Sequence, residues 1–227
     1  MVLKRNRINQ ITTIKEQVYN VIKDNILNGH FKPGEKLQEK KIAEDLNVSR
    51  SPVREAIKEL IGEGLLESIP NKSITVKKLS NKDIIDIFEF RSMIEKYSIN
   101  KTISSLTEEK INRINELLKE LEDTYNANDL HAYCQVDVNM HNEIIFMSEN
   151  MVVYNAIKNI FSLMQPFRII SLHSKKRFKE SFLEHKEILE GIKEKDFERA
   201  WKANSNHLKF AKEEILKYLL KEESESK

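Results

Sequence analysis

The sequence contains little cysteine, glycine or proline. Among its 227 residues are one cysteine, five glycines and four prolines. The single cysteine, Cys134, excludes an internal disulfide and fits a reducing compartment. The scarcity of glycine and proline favours helices over a fold with many tight β-turns. The chain lacks the ~20 consecutive apolar residues of a membrane helix, and the basic start MVLKRNRINQ lacks the apolar run of a signal peptide. We therefore expect a soluble cytoplasmic protein.

Charge is abundant but unevenly distributed. The net charge is only +2, with 38 Lys and Arg against 36 Asp and Glu. The first 80 residues hold 15 basic against 10 acidic side chains, a net of +5, whereas the remainder has a net of −3. A basic first third joined to a mildly acidic remainder suggests a polyanionic partner for the first part alone.

The stretch NVSRSPVREAIKELIGEGLL, residues 47–66, has the pattern of a short capped helix. Ser49 or Ser51 is a candidate N-cap, and Pro52 suits the first helical turn. Apolar residues at helical spacing predict one buried face, and Gly64 is a candidate left-handed stop. Arginines at the start of such a helix suit recognition of guanine edges or phosphates. An exposed charged surface helix is an equally good reading of this stretch taken alone.

The flanking segments predict a winged helix-turn-helix. Residues 39–46 have the pattern of a short helix that ends at Asn47, and a turn of three to four residues leads to the next helix. After Gly64, the segments LLESI and ITVKK alternate apolar and polar residues, which predicts a β-hairpin with Pro70–Ser73 between its strands. Lys72, at the hairpin tip, would be placed to reach phosphate or the minor groove.

These words of sequence carry a specific resemblance. The first third of the chain resembles the DNA-binding domain of the GntR family of bacterial transcription regulators. The matching segments are ILNGHFKPGEKL, EKKIAEDLNVSRSPVREAIKELIGEGLL and the spacing from there to VKKLS. The resemblance implies DNA contacts by Lys40, Arg50 and Arg54, with neighbouring contacts by Ser49 and Ser51. Relatives commonly carry glycine in the wing turn, where this chain has Ser73, so the contact made by the wing is in question.

A second, all-helical domain is predicted from residue 80 onward. The segment SNKD, residues 80–83, has the form of a capping box, with Asp in place of the usual Glu or Gln. Six stretches of helical periodicity follow, and six antiparallel helices can enclose a core and a polar cavity. We therefore predict a mainly α protein with a winged helix-turn-helix DNA-binding domain at 1–79 and an antiparallel α-helical bundle at 80–227.

One set of side chains in the second domain has the chemistry of a metal site. Asp137 and His141 are four residues apart and share a helix face, while His185 and His207 lie on two later helices. Three imidazoles and a carboxylate suit zinc, nickel, manganese or iron(II). Judged by spacing alone the signal is weak, because Asp-x-x-x-His is common and a lone histidine is more often structural.

A second resemblance bears on this site. The remainder of the chain resembles the helical effector domain, called FCD, of the FadR-type GntR regulators. The matching segments are FRSMIE, DVNMHNEI and EHKEILEGIKEKDFERAWKANSNHL. The resemblance implies that residues 80–227 bind an effector and that Asp137, His141, His185 and His207 hold a divalent metal, zinc first, with a small carboxylate bound on or near it. It also implies that Arg91 lines the effector cavity; an intrahelical salt bridge with Glu95 is the alternative. Arg168 is either a second anion contact or a surface residue.

The function predicted from these features is ligand-controlled transcription regulation. A homodimer would read a short inverted repeat in double-stranded DNA, and a small organic acid at the metal-containing cavity would alter its DNA affinity. The rival class is an enzyme, either a metal-dependent hydrolase or a di-iron oxidase. No histidine has Glu three residues before it, which argues against the di-iron version. A regulator whose effector site contains no metal is a milder alternative.

Overall fold

The computed structural model describes residues 13–27, 29–69 and 73–225. The chain forms two compact units that divide between Lys78 and Leu79. The predicted tip residue Lys72 lies outside the described residues. None of the helices described combines the length and apolar character that a membrane crossing requires.

The first unit contains three helices and a small sheet. Its elements are α1 (Ile14–Leu27), β1 (Lys36–Leu37), α2 (Glu39–Asp45), α3 (Arg50–Gly62), β2 (Leu66–Ile69) and β3 (Ser73–Val76). The sheet order is β1-β3-β2, and both strand pairs are antiparallel. The strands β2 and β3 form the predicted hairpin, with Ser73 paired to Ile69 at the start of β3. The two-residue strand β1 was not predicted, because so short a segment shows no alternation.

The helix-turn-helix geometry depends on two residues with positive φ. Asn47, just after α2, has φ 52°, which Asn tolerates better than most residues. Gly64 has φ 78°, and the hydrogen bonds Gly64 N–H to Ile61 C=O and Leu65 N–H to Leu60 C=O close the end of α3. Ser49 occupies the N-cap position of α3, but its side chain makes no capping hydrogen bond. Of the two N-cap candidates, Ser49 has the position and Ser51 lies inside α3, and the expected side-chain cap of Ser49 is wrong.

The second unit is a bundle of six helices among the residues described. They are α4 (Asn81–Ser104), α5 (Glu108–Asn126), α6 (Leu130–Met147), α7 (Met151–Ser171), α8 (Lys175–Lys193) and α9 (Phe197–Glu225). The capping box predicted at the start of α4 is present: the Asp83 N–H donates to the Ser80 hydroxyl, and the Ser80 N–H donates to the Asp83 carboxylate. The mainly α fold class is thus confirmed.

Apolar faces of the six helices form the core of the bundle. One large cluster is contributed by α4, α5, α6, α8 and α9, and a second by α4, α7 and α9. The helices α8 and α9 approach closely at Gly191, where a Cβ atom would lie 2.8 Å from the backbone N of Ala200. This close contact fixes the position of α9 along α8. Each of these two helices carries one histidine of the predicted site.

Candidate functional site

Asp137, His141, His185 and His207 form one buried cluster. Asp137 and His141 come from α6, His185 from α8 and His207 from α9, and each residue is at most 3% exposed. One nitrogen of each histidine and one carboxylate oxygen of Asp137 all lie within 4.8 Å of one another. The structure therefore brings together the four residues that the sequence proposed as ligands.

Each histidine uses its other ring nitrogen to contact a different polar side chain. His141 Nδ1 is 3.0 Å from Glu95 Oε2, and His207 Nδ1 is 3.1 Å from Glu184 Oε2. His185 Nδ1 is 2.8 Å from the Tyr133 hydroxyl. These contacts turn all three Nε2 atoms toward the centre of the cluster. Metal-binding histidines are oriented in this way, with the outer nitrogen held by a carboxylate, a hydroxyl or a carbonyl.

The spacing of the inner atoms suits a single small cation. A tetrahedral ion with bonds of about 2.0–2.1 Å places its ligand atoms about 3.3 Å apart. His185 Nε2 and His207 Nε2 are 3.3 Å apart, and His141 Nε2 and Asp137 Oδ1 are 3.5 Å apart, while His185 Nε2 and Asp137 Oδ1 are 3.9 Å apart. His141 Nε2 is buried and has no hydrogen-bond partner within the described part of the chain. Three imidazoles and one carboxylate, with donor atoms within 4.8 Å of one another, therefore form a set of ligands that suits a divalent metal ion.

The electrostatics favour the metal-binding forms of Asp137, His185 and His207. Burial raises the pKa of the Asp137 carboxyl, but neighbouring positive charge, above all that of Arg168, outweighs burial, and its pKa lies well below the usual range. Burial is also the main cause that lowers the pKa of His185 and of His207 well below that of an ordinary imidazole. A charged carboxylate and neutral imidazoles are the protonation states that bind metal.

Two buried arginines lie beside the cluster and share one aromatic neighbour. Arg168 Nη1 pairs with Asp137 Oδ1, and Arg91 Nε donates to Glu95 Oε1 at 2.8 Å. Both guanidinium groups lie over the Phe161 ring, at 5.1 Å for Arg91 and 5.6 Å for Arg168. The intrahelical salt bridge of Arg91 is thus present, and Arg168 is buried rather than on the surface.

The arginines have hydrogen-bonding capacity that no described residue uses. Arg91 Nη2 and Arg168 Nε and Nη2 are buried and have no protein partner within the described ranges. A buried guanidinium nitrogen without a partner is costly, by about 1–3 kcal/mol. Both arginines therefore carry unused donors that an anion can accept from.

Three residues that orient the histidines were not assigned this role from the sequence. Tyr133 lies one turn before Asp137 on α6, so helical spacing places its side chain on the same helix face as that candidate ligand. Glu95 and Glu184 reach histidines on other helices, and no local signal in the sequence shows this. Cys134, a neighbour of Tyr133, is buried in the core, and burial raises the pKa of its thiol to about 12. It is a protonated apolar side chain rather than a ligand.

Five of the six residues predicted to contact DNA lie within the described part of the first unit, and all five are exposed. Lys40 on α2, Ser49 before α3, and Arg50, Ser51 and Arg54 on α3 are all exposed. The opposite face of α3 is buried through Val53, Ala56, Ile57 and Leu60. The first two turns of α3 thus expose two guanidinium groups, and no side chain of the N-cap residue caps the first backbone N–H groups, an arrangement that suits phosphate.

Arg54 is held by an acidic partner. Its Nη2 is 3.0 Å from Glu39 Oε2, and its Nε donates to the same carboxylate at 3.2 Å. The side chain remains 57% exposed, so a polyanion can compete for it.

Each of the two units matches a known protein family. Residues 14–76 match the family "Bacterial regulatory proteins, gntR family", and residues 86–210 match the FCD domain. The HTH-type transcriptional regulator YdhC of Bacillus subtilis (strain 168) is 30% identical over 92% of this chain and 94% of its own length.

Two solved structures are similar as well. Escherichia coli McbR/YncC superposes with a TM-score of 0.77 at 22% identity, covering 92% of this chain and 100% of that one. An FCD domain described as metal-free has a TM-score of 0.53 at 25% identity, covering 63% of this chain and 99% of that one. The matched families and YdhC are transcriptional regulators rather than enzymes. The chain therefore belongs to the GntR family of bacterial transcriptional regulators, in the group that carries an FCD domain.

Proposed function

We propose that the DNA affinity of this regulator is controlled by a small organic acid, bound beside a divalent metal ion in the second unit. The observation that carries the proposal is the convergence of three histidine Nε2 atoms on one carboxylate, each ring being oriented by its own polar partner. Asp137, His141, His185 and His207 would hold the ion. Zinc suits this donor set best, and nickel, manganese or iron(II) are alternatives.

The effector would bind through the two buried arginines. A carboxylate accepts two hydrogen bonds from the planar fork of an arginine, and a carboxylate oxygen is also a ligand for a divalent ion. Arg91 and Arg168 have unused donors next to the cluster, which supports an anion at this place. The ion, when bound, would add positive charge there and so favour an anionic ligand further.

Arg168 also has a structural role in this proposal. Its contact with Asp137 keeps that carboxylate charged and fixes its orientation. An effector that accepts a hydrogen bond from Arg168 would therefore act on a residue that already contacts a candidate metal ligand. Metal and effector affinities should then be coupled, each ligand favouring the other by the same factor.

The output would be recognition of DNA by α3. Arg50 and Arg54 would contact base edges or phosphates, Lys40 would contact phosphate from α2, and Ser49 and Ser51 would contribute the hydroxyls beside them. Lys72 would add a contact from the wing. A two-fold homodimer would present two such helices to a short inverted repeat. Effector binding shifts DNA affinity only to the extent that the effector prefers one of two states of the dimer.

The test is a DNA-binding titration of the full chain in four conditions. An operator is first selected from a random duplex pool, and the Kd is measured with chelator, with zinc, with zinc plus a panel of small carboxylates, and with the carboxylates alone. We expect at least one carboxylate to change the Kd fivefold or more, in line with typical coupling energies of about 1–3 kcal/mol, and only when zinc is present. A Kd that stays the same in all four conditions would refute control through this site.

Three matched variants separate the effect of the two buried arginines from an effect of charge in general. Arg91→Met and Arg168→Met remove the buried donors, whereas Arg199→Met removes an arginine held by Glu187 and Glu194 on the surface. The response to carboxylate should disappear in the first two variants and persist in the third. A full response in both buried-arginine variants would rule out this anion site.

A further inference from the structure

Arg177 is a buried cation in a helical turn that favours anions. It lies in the first turn of α8, where its backbone N–H donates to the hydroxyl of the N-cap residue Ser174. The residue is 5% exposed, and its Nε has no hydrogen-bond partner among the residues described. The first turn of a helix favours negative charge, and a buried cation needs a partner that compensates it. An arginine at this position is therefore unfavourable unless a specific contact stabilises it.

The partner of Arg177 is Glu184, two turns later on the same helix. Arg177 Nη1 donates to Glu184 Oε1 at 2.9 Å, and Nη2 donates to Oε2 at 2.6 Å. A longer contact of 3.9 Å joins Nη1 to Glu180, and the Phe210 ring of α9 lies 5.5 Å from the guanidinium carbon. Both oxygens of Glu184 are thus held by one planar fork, the geometry that fixes the orientation of a carboxylate most firmly.

Glu184 in turn contacts a candidate metal ligand. Its Oε2, the oxygen that accepts from Arg177 Nη2, lies 3.1 Å from His207 Nδ1. The side chain of Glu184 is 14% exposed, whereas Glu95 and Tyr133, which contact the other two histidines, are at most 2% exposed. A carboxylate that reaches solvent can turn toward water. The contact between Glu184 and His207 therefore depends on the group that holds the carboxylate.

A second series of contacts has the same order of groups. Arg91 Nε donates to Glu95 Oε1 at 2.8 Å, and Glu95 Oε2 lies 3.0 Å from His141 Nδ1. In both series an arginine holds the carboxylate that contacts the outer nitrogen of a histidine. Arg91 keeps an unpaired Nη2, whereas both terminal nitrogens of Arg177 contact Glu184. Arg177 is thus the arginine that is committed to its carboxylate.

We propose that Arg177 is a positioning residue that raises the metal affinity of the cluster by acting through Glu184. The inference rests on the proposed function, because it assumes that His207 binds a divalent ion. When His207 Nε2 binds the ion, Nδ1 carries the proton and donates it to Glu184 Oε2. Arg177 keeps that oxygen in place for the donor. Without Arg177 the carboxylate can turn toward solvent, and the ring of His207 loses its fixed orientation.

The test is competition for zinc against a chromophoric chelator, with three variants of the full chain. Arg177→Met removes the fork, Arg177→Lys keeps the charge without the fork, and Lys176→Met removes a neighbouring cation whose side chain is 86% exposed. We expect the zinc Kd to rise about tenfold in Arg177→Met, by a smaller factor in Arg177→Lys, and to stay within about twofold in Lys176→Met. Zinc affinities of both Arg177 variants within about twofold of the unaltered protein overturn the inference. Arg177→Lys, which keeps the buried charge, decides the matter if Arg177→Met does not fold.

Cobalt(II) in place of zinc reports the geometry of the ligands. The visible absorption spectrum of the cobalt-loaded protein should change in Arg177→Met and stay the same in Lys176→Met. A general loss of stability would lower Tm without changing this spectrum. A zinc Kd that rises while the cobalt spectrum stays the same therefore overturns the inference.

A double-variant cycle shows whether Arg177 acts through Glu184. When Glu184→Ala has already removed the carboxylate, adding Arg177→Met should not raise the zinc Kd further, because the group that Arg177 positions is gone. A further rise beyond about twofold overturns the inference, since Arg177 would then act on the cluster by another route.

Failure of the inference and failure of the proposed function give different results. If the unaltered protein takes up zinc, and His207→Ala lowers its affinity while the two Arg177 variants do not, the metal site stands and the role of Arg177 is refuted. If the unaltered protein takes up neither zinc nor cobalt, the metal site itself is refuted, and the inference with it.

Discussion

The substitution Tyr133→Phe tests how the second unit prepares its histidines for metal. The Tyr133 hydroxyl is 2.8 Å from His185 Nδ1, and its ring packs edge-on against Phe178, with the centroids 4.8 Å apart. Phenylalanine keeps the ring and its packing and removes only the hydroxyl. When His185 Nε2 binds a cation, Nδ1 carries the proton and donates it to that oxygen. The variant leaves this N–H buried without its partner.

The expected magnitude follows from the loss of that contact. Removing an outer partner of a metal-binding histidine typically lowers metal affinity by about 10–100-fold, or about 1.4–2.7 kcal/mol. Metal-free protein should lose less stability, about 0.5–1.5 kcal/mol for one hydrogen bond. In a domain of this size that amounts to a decrease of a few degrees in Tm, roughly 2–4 °C per kcal/mol. The effect on metal binding should thus exceed the effect on folding.

The assay is competition for zinc against a chromophoric chelator, with Tm measured on the same samples. Tyr125→Phe is the matched control, because the Tyr125 ring stacks on Phe182 at 4.2 Å and belongs to the same core region. We expect the zinc Kd of Tyr133→Phe to rise at least tenfold and that of Tyr125→Phe to remain within about twofold. Equal zinc affinity in Tyr133→Phe and the unaltered protein would refute the account of how His185 is oriented.

Three further predictions concern DNA, packing and metal. Arg54→Ala should weaken specific DNA binding by about 1–3 kcal/mol in a gel-shift titration if Arg54 contacts a base. The control Lys119→Ala removes an exposed cation of α5 and should leave DNA affinity unchanged. Equal DNA affinities of the two variants would contradict the assignment of Arg54. Gly191→Ala should lower the free energy of unfolding measured in urea, because the added Cβ meets the Ala200 backbone, which cannot rotate away. Overpacking should cost about 1–3 kcal/mol and is opposed by a smaller gain in helix propensity. An unchanged free energy of unfolding would show that α8 and α9 can separate at no cost. Zinc at a concentration of about a hundredfold its Kd should raise the free energy of unfolding by about 2.7 kcal/mol, and chelator should abolish the increase. A free energy of unfolding that does not respond to zinc would argue against a metal site in the folded state.

Local features of the fold were predictable because they depend on neighbours in sequence. The capping box at Ser80 and Asp83, the end of α3 at Gly64 and the alternation in β2 and β3 each require only a few consecutive residues. The strand β1 was not predictable in this way, since its two residues become a strand only by pairing with β3. Ser49 was one of two N-cap candidates, and both the choice between them and the absence of a capping bond depend on local geometry that the sequence does not specify.

The candidate metal site was predictable in part for the same reason. Asp137 and His141 share a helix face, and their spacing shows it. The meeting of His185 and His207 with them depends on how three helices pack, and only the resemblance to a known family supplied it. The surface alternative for Arg168 was wrong because a charged residue is buried only where a partner compensates it, and that partner, Asp137, lies on another helix.

The most direct test of the central claim is the metal content of the protein. The chain is purified without chelator, and its metal is measured by mass spectrometry beside that of an Asp137→Ala, His185→Ala double variant. One set of four ligands should hold about one divalent ion per chain, and the double variant should retain almost none. A content below about a tenth of an ion per chain, with no uptake after addition of zinc, nickel or manganese, would contradict the claim that these four residues form a metal site.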